Sequence, residues 1–124
     1  MVHVDTSVWV SHLRTGEAHL ATLLEEGIVL CHPFIVGELA CGRISNRDEI
    51  LSMLDLLPKV SMATDREVLR FIEAHRLMGI GLGLVDVHLL ASSRLSAAPL
   101  WTADRQLRAA ARKLRVHYEP AKEA

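Results

Sequence analysis

Val2-His3-Val4-Asp5-Thr6-Ser7 opens the chain and decides how the rest is read. Its first three residues suit a short buried strand, and Asp5-Thr6-Ser7 follows where that strand must end and a helix begin. Sheets of alternating strands and helices bind ligands at the carboxyl ends of their strands, so an acid at that point is placed for chemistry. Asp5 is therefore expected to be one of several acids holding a divalent cation, the others coming from distant parts of the sequence.

Working outward, apolar residues recur at helical spacing from Ser7 to Leu13, closed by Gly16, and again from Glu17 to Glu26, closed by Gly27. Ile28-Val29-Leu30 is a second strand. Pro33 fits the first turn of a helix that runs to Cys41 and stops at Gly42. A helix over Asn46 to Leu56 precedes Pro58, and Lys59-Val60-Ser61 reads as a third strand. Thr64 and Glu67 have capping-box spacing for a helix reaching Met78. Gly79, Gly81 and Gly83 mark a loop before Leu84 to Leu95 returns to helical periodicity. Leu100-Trp101-Thr102 is a fourth strand, Asp104 opens a helix to Leu114, and Val116-His117-Tyr118 is a last short strand. This alternation implies an α/β fold, a mostly parallel sheet of four to five strands with helices on both faces.

The chain has 124 residues, half of them hydrophobic, which fits one domain over 1–124 with a real core. Fourteen basic and fifteen acidic residues give a net charge of −1 with histidine neutral. That balance disfavours wholesale coating of nucleic acid but leaves room for a local basic groove. Two Phe, two Trp and one Tyr supply too few rings for a base-stacking platform. No apolar run is long enough to span a bilayer, the start lacks a secretion signal, and Cys31 and Cys41 lack metal-type spacing. Reduced thiols and a cytoplasmic location are expected.

Most acids have ordinary explanations. Glu67 completes a capping box, Asp65 favours the positive end of its helix, and Glu49 stands three residues after Asn46. Four need separate weighing. Glu38 shares a stripe with Phe34, Ile35 and Cys41, too far along its helix to cap it, so a buried Glu38 needs a cation. The alternative is a marginal glutamate reaching water or pairing with Arg43. Asp86 lies beside Leu89 and Leu90, yet a first-turn acid is also favoured by the helix dipole. Asp5 and Asp104 each end a strand and begin a helix, so each also suits an N-cap. Two acids at one sheet edge plus two on apolar helix faces exceed what capping requires. Such a group repels itself unless a hard cation sits among it, and oxygen donors suit Mg2+ or Mn2+.

Val4-Asp5-Thr6-Ser7, Gly37-Glu38-Leu39-Ala40, Val85-Asp86-Val87-His88-Leu89-Leu90-Ala91-Ser92 and Leu100-Trp101-Thr102-Ala103-Asp104 resemble, in order, the four acidic motifs of PIN-domain nucleases. The resemblance spans essentially the whole chain, and so short a chain looks most like a VapC-type toxin of a bacterial toxin–antitoxin pair. It implies a PIN-like three-layer domain and a metal site of Asp5, Glu38, Asp86 and Asp104, with Thr6 and Thr102 as supporting polar residues. It also implies Mg2+-dependent cleavage of structured RNA, in tRNA or rRNA loops, leaving a 5′-phosphate and a 3′-hydroxyl. A cognate antitoxin and a homodimer are the implied partners.

Residues 105–115 hold Arg105, Arg108, Arg112, Lys113 and Arg115 and no acid. Arg105, Arg108, Arg112 and Arg115 recur at spacings of three, four and three, a stripe that would face phosphates, or an ordinary solvated one. Ile50, Leu51, Met53, Leu54 and Leu56 wrap wider than one core-facing stripe, which suits a dimer seam, a groove for an antitoxin helix, or deep core burial. His88 points to a different helix face from Asp86 and reads as structural. Two rival functions use the same residues. A haloacid-dehalogenase-like phosphatase also has a strand-end aspartate, but needs a second Asp where Ser7 stands. A non-catalytic PIN-fold interaction module would keep the acids as caps.

Overall fold

The computed structural model describes residues 1–120, and within them the chain runs β1 (Val2–Val4), α1 (Thr6–Thr15), α2 (Ala18–Glu25), β2 (Val29–Leu30), α3 (Pro33–Cys41), α4 (Arg47–Leu56), α5 (Asp65–His75), α6 (Leu84–Ser96), β3 (Leu100–Trp101) and α7 (Arg105–Lys113). The strands pair in the order β2-β1-β3, all parallel, with His3 opposite both Leu30 and Leu100. Paired residues of a parallel ladder share a face, so His3, Leu30 and Leu100 point one way and Val2, Val4, Val29 and Trp101 the other. α6 covers the first face, where the Ser93 hydroxyl lies 2.8 Å from His3 Nδ1. α2 covers the second, where His19 meets the edge of Trp101 at 5.3 Å between ring centroids. Helices therefore lie on both sides of the sheet, the three-layer arrangement expected.

The four- to five-stranded sheet is narrower than expected. Lys59 and His117 add only single parallel bridges, to Cys31 and Leu100. Each outer segment has a reason to stop. After Val60 donates to Cys31, the next rung needs an N–H from Pro33, which has none, while Ser61 N–H, on the outer side, is taken by Ser96 Oγ at 2.8 Å. After Tyr118 donates to Leu100, the next rung needs an N–H from Pro120, which has none, and Arg108 already occupies the Thr102 carbonyl.

Helix ends follow local chemistry. Gly16 closes α1 at φ 80, and Thr64 with Glu67 forms the capping box of α5. That helix ends at His75 rather than Met78, because Arg76 turns left-handed at φ 52. One apolar core runs from Val4, Trp9 and Leu20 through Ile35 and Leu54 to Leu89, Leu100 and Leu107, all fully buried.

Three histidines are buried beside this core. His3 stacks on His32 at 6.0 Å, and His88 meets His32 edge-on at 6.4 Å and Phe34 at 4.8 Å. His88 is thus structural, as its sequence position implies. His32 caps α3: its ring Nδ1 accepts the Phe34 N–H at 2.9 Å, so this ring must be neutral. Burial pulls His3 down from 6.5 to about 3, helped by His32, and pulls His32 down to about 4, helped by His88. The Cys31 thiol is buried and pushed up to about 11, so it is no nucleophile.

Candidate metal centre

Asp5 and Asp104 reach the same sheet edge because β1 and β3 are adjacent and parallel; the Asp5 N–H donates to Trp101 O at 2.9 Å. Asp5 is almost fully buried and caps α1. Its Oδ2 accepts from Ser7 Oγ at 2.7 Å, Thr102 Oγ1 at 2.8 Å and, more weakly, Ser7 N–H at 3.4 Å. Asp104 caps α7, its Oδ1 accepting from Leu107 N–H at 2.8 Å. Asp86, in the first turn of α6, accepts the Gly83 N–H on Oδ2 at 3.0 Å. Glu38, on α3, accepts from Thr6 Oγ1 on Oε1 at 2.8 Å.

A common pattern runs through these contacts. Each carboxylate commits one oxygen to a protein donor, which fixes its rotamer, and its second oxygen takes no hydrogen bond from the described residues. The cap reading and the ligand reading of Asp5 and Asp104 are therefore compatible: one oxygen caps, the other is free to ligate.

Electrostatics link three of the four. The half-buried Asp86 carboxyl is pushed above its ordinary value chiefly by burial; the Gly83 N–H opposes this, while the charges of Asp5 and Asp104 add to it. Aspartates that repel one another in a half-buried site form an environment that a divalent cation relieves, and a donor set of carboxylate oxygens fits a hard ion such as Mg2+ or Mn2+. Glu38 stands apart. The sequence places it in an apolar stripe, but it is exposed, Ile35 and Leu39 being the buried residues of α3, and Cys41 is exposed too. It has no ion pair with Arg43 among the described residues, and it joins the others through Thr6, the neighbour of Asp5. Among the described residues, no three His, Cys, Asp or Glu side chains are gathered tightly enough to form a ready-made cation cage.

Two features escape a reading of the sequence. Ser7 does not cap α1, which Asp5 does; the Ser7 Oγ donates to Asp5, accepts from Ala103 N–H at 2.9 Å and lies 3.3 Å from Thr102 Oγ1, tying the ends of β1 and β3 together. Gly81, at φ 87, lies under the Gln106 side chain, and a Cβ there would stand 2.5 Å from its oxygen. The glycine loop before α6, which carries Asp86, is thereby fitted to the first turn of α7, which carries Asp104. The triple glycine signals the loop, while Gln106 gives no signal.

The arginine stripe is partly committed. Arg108 places its guanidinium on Thr102 O at 3.3–3.4 Å, and Arg112 pairs with Glu119 at 3.7 Å, which leaves Arg105 exposed and unpaired among the described residues. Beside Glu38 and Thr6 a groove of about 460 Å3 runs between α1, α3 and α4, lined also by Arg14, Arg43 and Ile50. Of the apolar residues of α4, Leu54 is buried, Ile50, Leu51 and Met53 are half-buried and pack against the core, and Leu56 is 86% exposed, so core burial accounts for part of that face and leaves Leu56 outside it.

Residues 2–113 match the model of the PIN domain family. The chain is 47% identical over 111 residues to "Ribonuclease VapC32" of Mycobacterium tuberculosis, an alignment covering 89% of this chain and 90% of that protein. Among solved structures it is similar to a toxin–antitoxin complex from Klebsiella pneumoniae, with TM-score 0.62, 17% identity, and coverage of 84% of this chain and 87% of that one. It is also similar to FitAcB from Neisseria gonorrhoeae, with TM-score 0.62, 15% identity, and coverage of 90% and 94%. At such identities these two structures speak for the fold alone.

Proposed function

The chain belongs to the PIN-domain family, and from that membership we propose that it is a divalent-metal-dependent endoribonuclease of the VapC type, the toxin half of a toxin–antitoxin pair. The observation that carries this reading is geometric: Asp5 and Asp104 end adjacent parallel strands at one sheet edge, Asp86 lies near enough for their charges to add to the rise of its carboxyl, and each of the three keeps one carboxylate oxygen without a protein donor among the described residues.

Asp5, Asp86 and Asp104 would hold the ion, with Glu38 completing the donor set from the rim. When bound, Mg2+ or Mn2+ polarises the scissile phosphate and lowers the pKa of a bound water. The chain's own contribution is orientation. Ser7 and Thr102 fix the plane of the Asp5 carboxylate, Thr6 fixes Glu38, and the Gly83 N–H fixes Asp86. Such supporting bonds matter because a ligand that swings costs affinity for the ion. Arg105, beside Asp104, is the cation of its stripe best placed to offset the acids' repulsion of RNA.

The half-exposed face of α4 supports a partner, for which an antitoxin helix and a second copy are the proposed occupants. Among the described residues no helix is long and apolar enough to cross a membrane, and a cytoplasmic site of action is part of this proposal. The phosphatase alternative is weakened by Ser7, whose hydroxyl is committed to Asp5 and Ala103.

Asp5→Asn, Asp86→Asn and Asp104→Asn test the reading against that of an interaction module. Asparagine caps a helix about as well as aspartate. Each variant should stay folded by circular dichroism and lose Mg2+-dependent cleavage of RNA by at least about 100-fold, on the scale of about 2.7 kcal/mol of lost transition-state stabilisation. Cleavage at the wild-type rate by all three would overturn it.

A further inference from the structure

The acids lie at the carboxyl edge of the sheet; a second pocket lies at the opposite edge and is the most basic concavity described. It measures about 530 Å3 and is walled by Pro99 and Val116, with His75, Arg94, Lys113 and Arg115 around it and no carboxylate in its lining. Arg94, Lys113 and Arg115 are exposed. None of these three has a carboxylate within 4 Å among the described residues, and Arg94 alone is partly spent, donating to Leu114 O at 3.2 Å. Basic residues at helix ends commonly offset the negative pole of the helix dipole. Here, however, the backbone amides already close those ends: Ala97 N–H donates to the Arg94 and Ser93 carbonyls, and Leu114 N–H to those of Ala110 and Arg112. The side-chain charges of Lys113 and Arg115 are left without a partner among the described residues.

α7 joins the two edges. It starts at Arg105, just after its cap Asp104, and ends at Lys113, and its nine residues span about 13 Å at 1.5 Å per residue. Arg105 and Arg112 lie on its exposed side between the acids and the pocket. We propose that this pocket binds a backbone phosphate of the RNA strand whose scissile bond lies at the acids, so that α7 is the rail along which the strand is held. The proposal rests on the ribonuclease reading and deepens it. A phosphate is favoured over an acidic protein segment because the pocket continues a basic helix that begins at the candidate metal centre.

The test uses a variant that the fold should welcome. Arg115 sits at φ 59, a left-handed conformation that glycine adopts without steric penalty, so Arg115→Gly should be at least as heat-stable as wild type. Combined with Lys113→Gln, it removes two cations. Binding of oligouridine is measured in EDTA by fluorescence anisotropy across a salt series, and cleavage of the same RNA is measured in Mg2+. For an oligomer of about 20 nucleotides, the double variant should bind about 10-fold more weakly, with a salt slope shallower by about 0.7, the change for one lost single-strand phosphate contact. A dinucleotide, whose single phosphodiester cannot occupy the acids and the pocket together, should be cleaved in Mg2+ equally well by both proteins. An unchanged slope for the long RNA in an enzyme that cleaves it would overturn the pocket proposal alone. An equal loss for both lengths would also overturn it, since the residues would then act at the scissile site. Loss of a protein partner with RNA binding intact would assign the pocket to protein instead. A wild type that neither binds nor cleaves RNA would remove the ribonuclease reading beneath it.

Discussion

Asp5 Oδ2 accepts from two hydroxyls and an amide, and this crowding on one oxygen fixes where the other must point. Ser7→Ala removes the shortest of these bonds and also leaves Ala103 N–H without its acceptor. The expected result is a loss of about 10–100-fold in activity or metal affinity, the usual scale for a residue that orients a ligand. The fold should be weakened by about 1.5–3 kcal/mol in urea unfolding, the range for a hydrogen bond to a charged group. Wild-type activity in that variant would show that Thr102 suffices. At this scale the sequence is most legible where a residue's two tasks agree. A strand-end aspartate announces both a cap and a candidate ligand, and in Asp5 and Asp104 one oxygen of each carries out the capping. Glu38 is where the pattern misleads. Its neighbours Phe34 and Cys41 are apolar in type but lie half-buried and exposed, so the stripe that seemed to enclose it is only its margin. Composition cannot tell a core stripe from a rim stripe when the helix is short.

Elements are positioned by close fits as well as by periodicity. The loop before α6 follows its glycines, and Gly81 within it turns left-handed at φ 87 beneath the exposed Gln106 side chain. Gly81→Ala must hold that φ with a Cβ, so it should destabilise the fold by more than about 1 kcal/mol. The Gln106 amide end can swing aside, so adding Gln106→Ala should recover little of the loss; thermal unfolding of the single and double variants checks this. The start of α5 is readable because capping chemistry is local: Thr64 with Glu67 is visible in four residues. The same spacing misleads at α4, where Asn46 turns left-handed at φ 55 and its side chain makes no cap. The outer strands are not readable, because what limits them is distant: Pro33 offers Val60 O no N–H and Arg108 takes the Thr102 carbonyl, and neither is near the outer segment in sequence. His32 as the cap of α3 was likewise hidden, since histidine rarely serves there and the eye goes to Pro33.

The whole molecule couples its stability to pH through the histidines buried beside the sheet. The unfolded chain protonates His3 and His32 near 6.5, whereas the fold resists until about 3 and about 4. Below 6.5 the unfolded state therefore binds more protons, so this stability is complete above 6.5 and is lost as pH falls toward 4. Each histidine contributes a slope of about 1.4 kcal/mol per pH unit across that window. Asp86, whose carboxyl is raised, works in the opposite sense. Urea unfolding between pH 4 and 7 should show a shallower slope for His32→Asn, which keeps a capping side chain; an unaltered slope would count against the buried ring. The same linkage bears on the metal centre, where the folded chain holds Asp5, Asp86 and Asp104 within range of each other's charge. Thermal unfolding of wild type and Asp86→Asn, with and without Mg2+, measures that cost directly. Without metal the Asn variant should melt at an equal or higher temperature, because repulsion is relieved. With Mg2+ at about 100 times its Kd, wild type should gain about 2.7 kcal/mol and the variant much less. A wild type indifferent to both Mg2+ and Mn2+, with an Asn variant that melts earlier, would contradict the account.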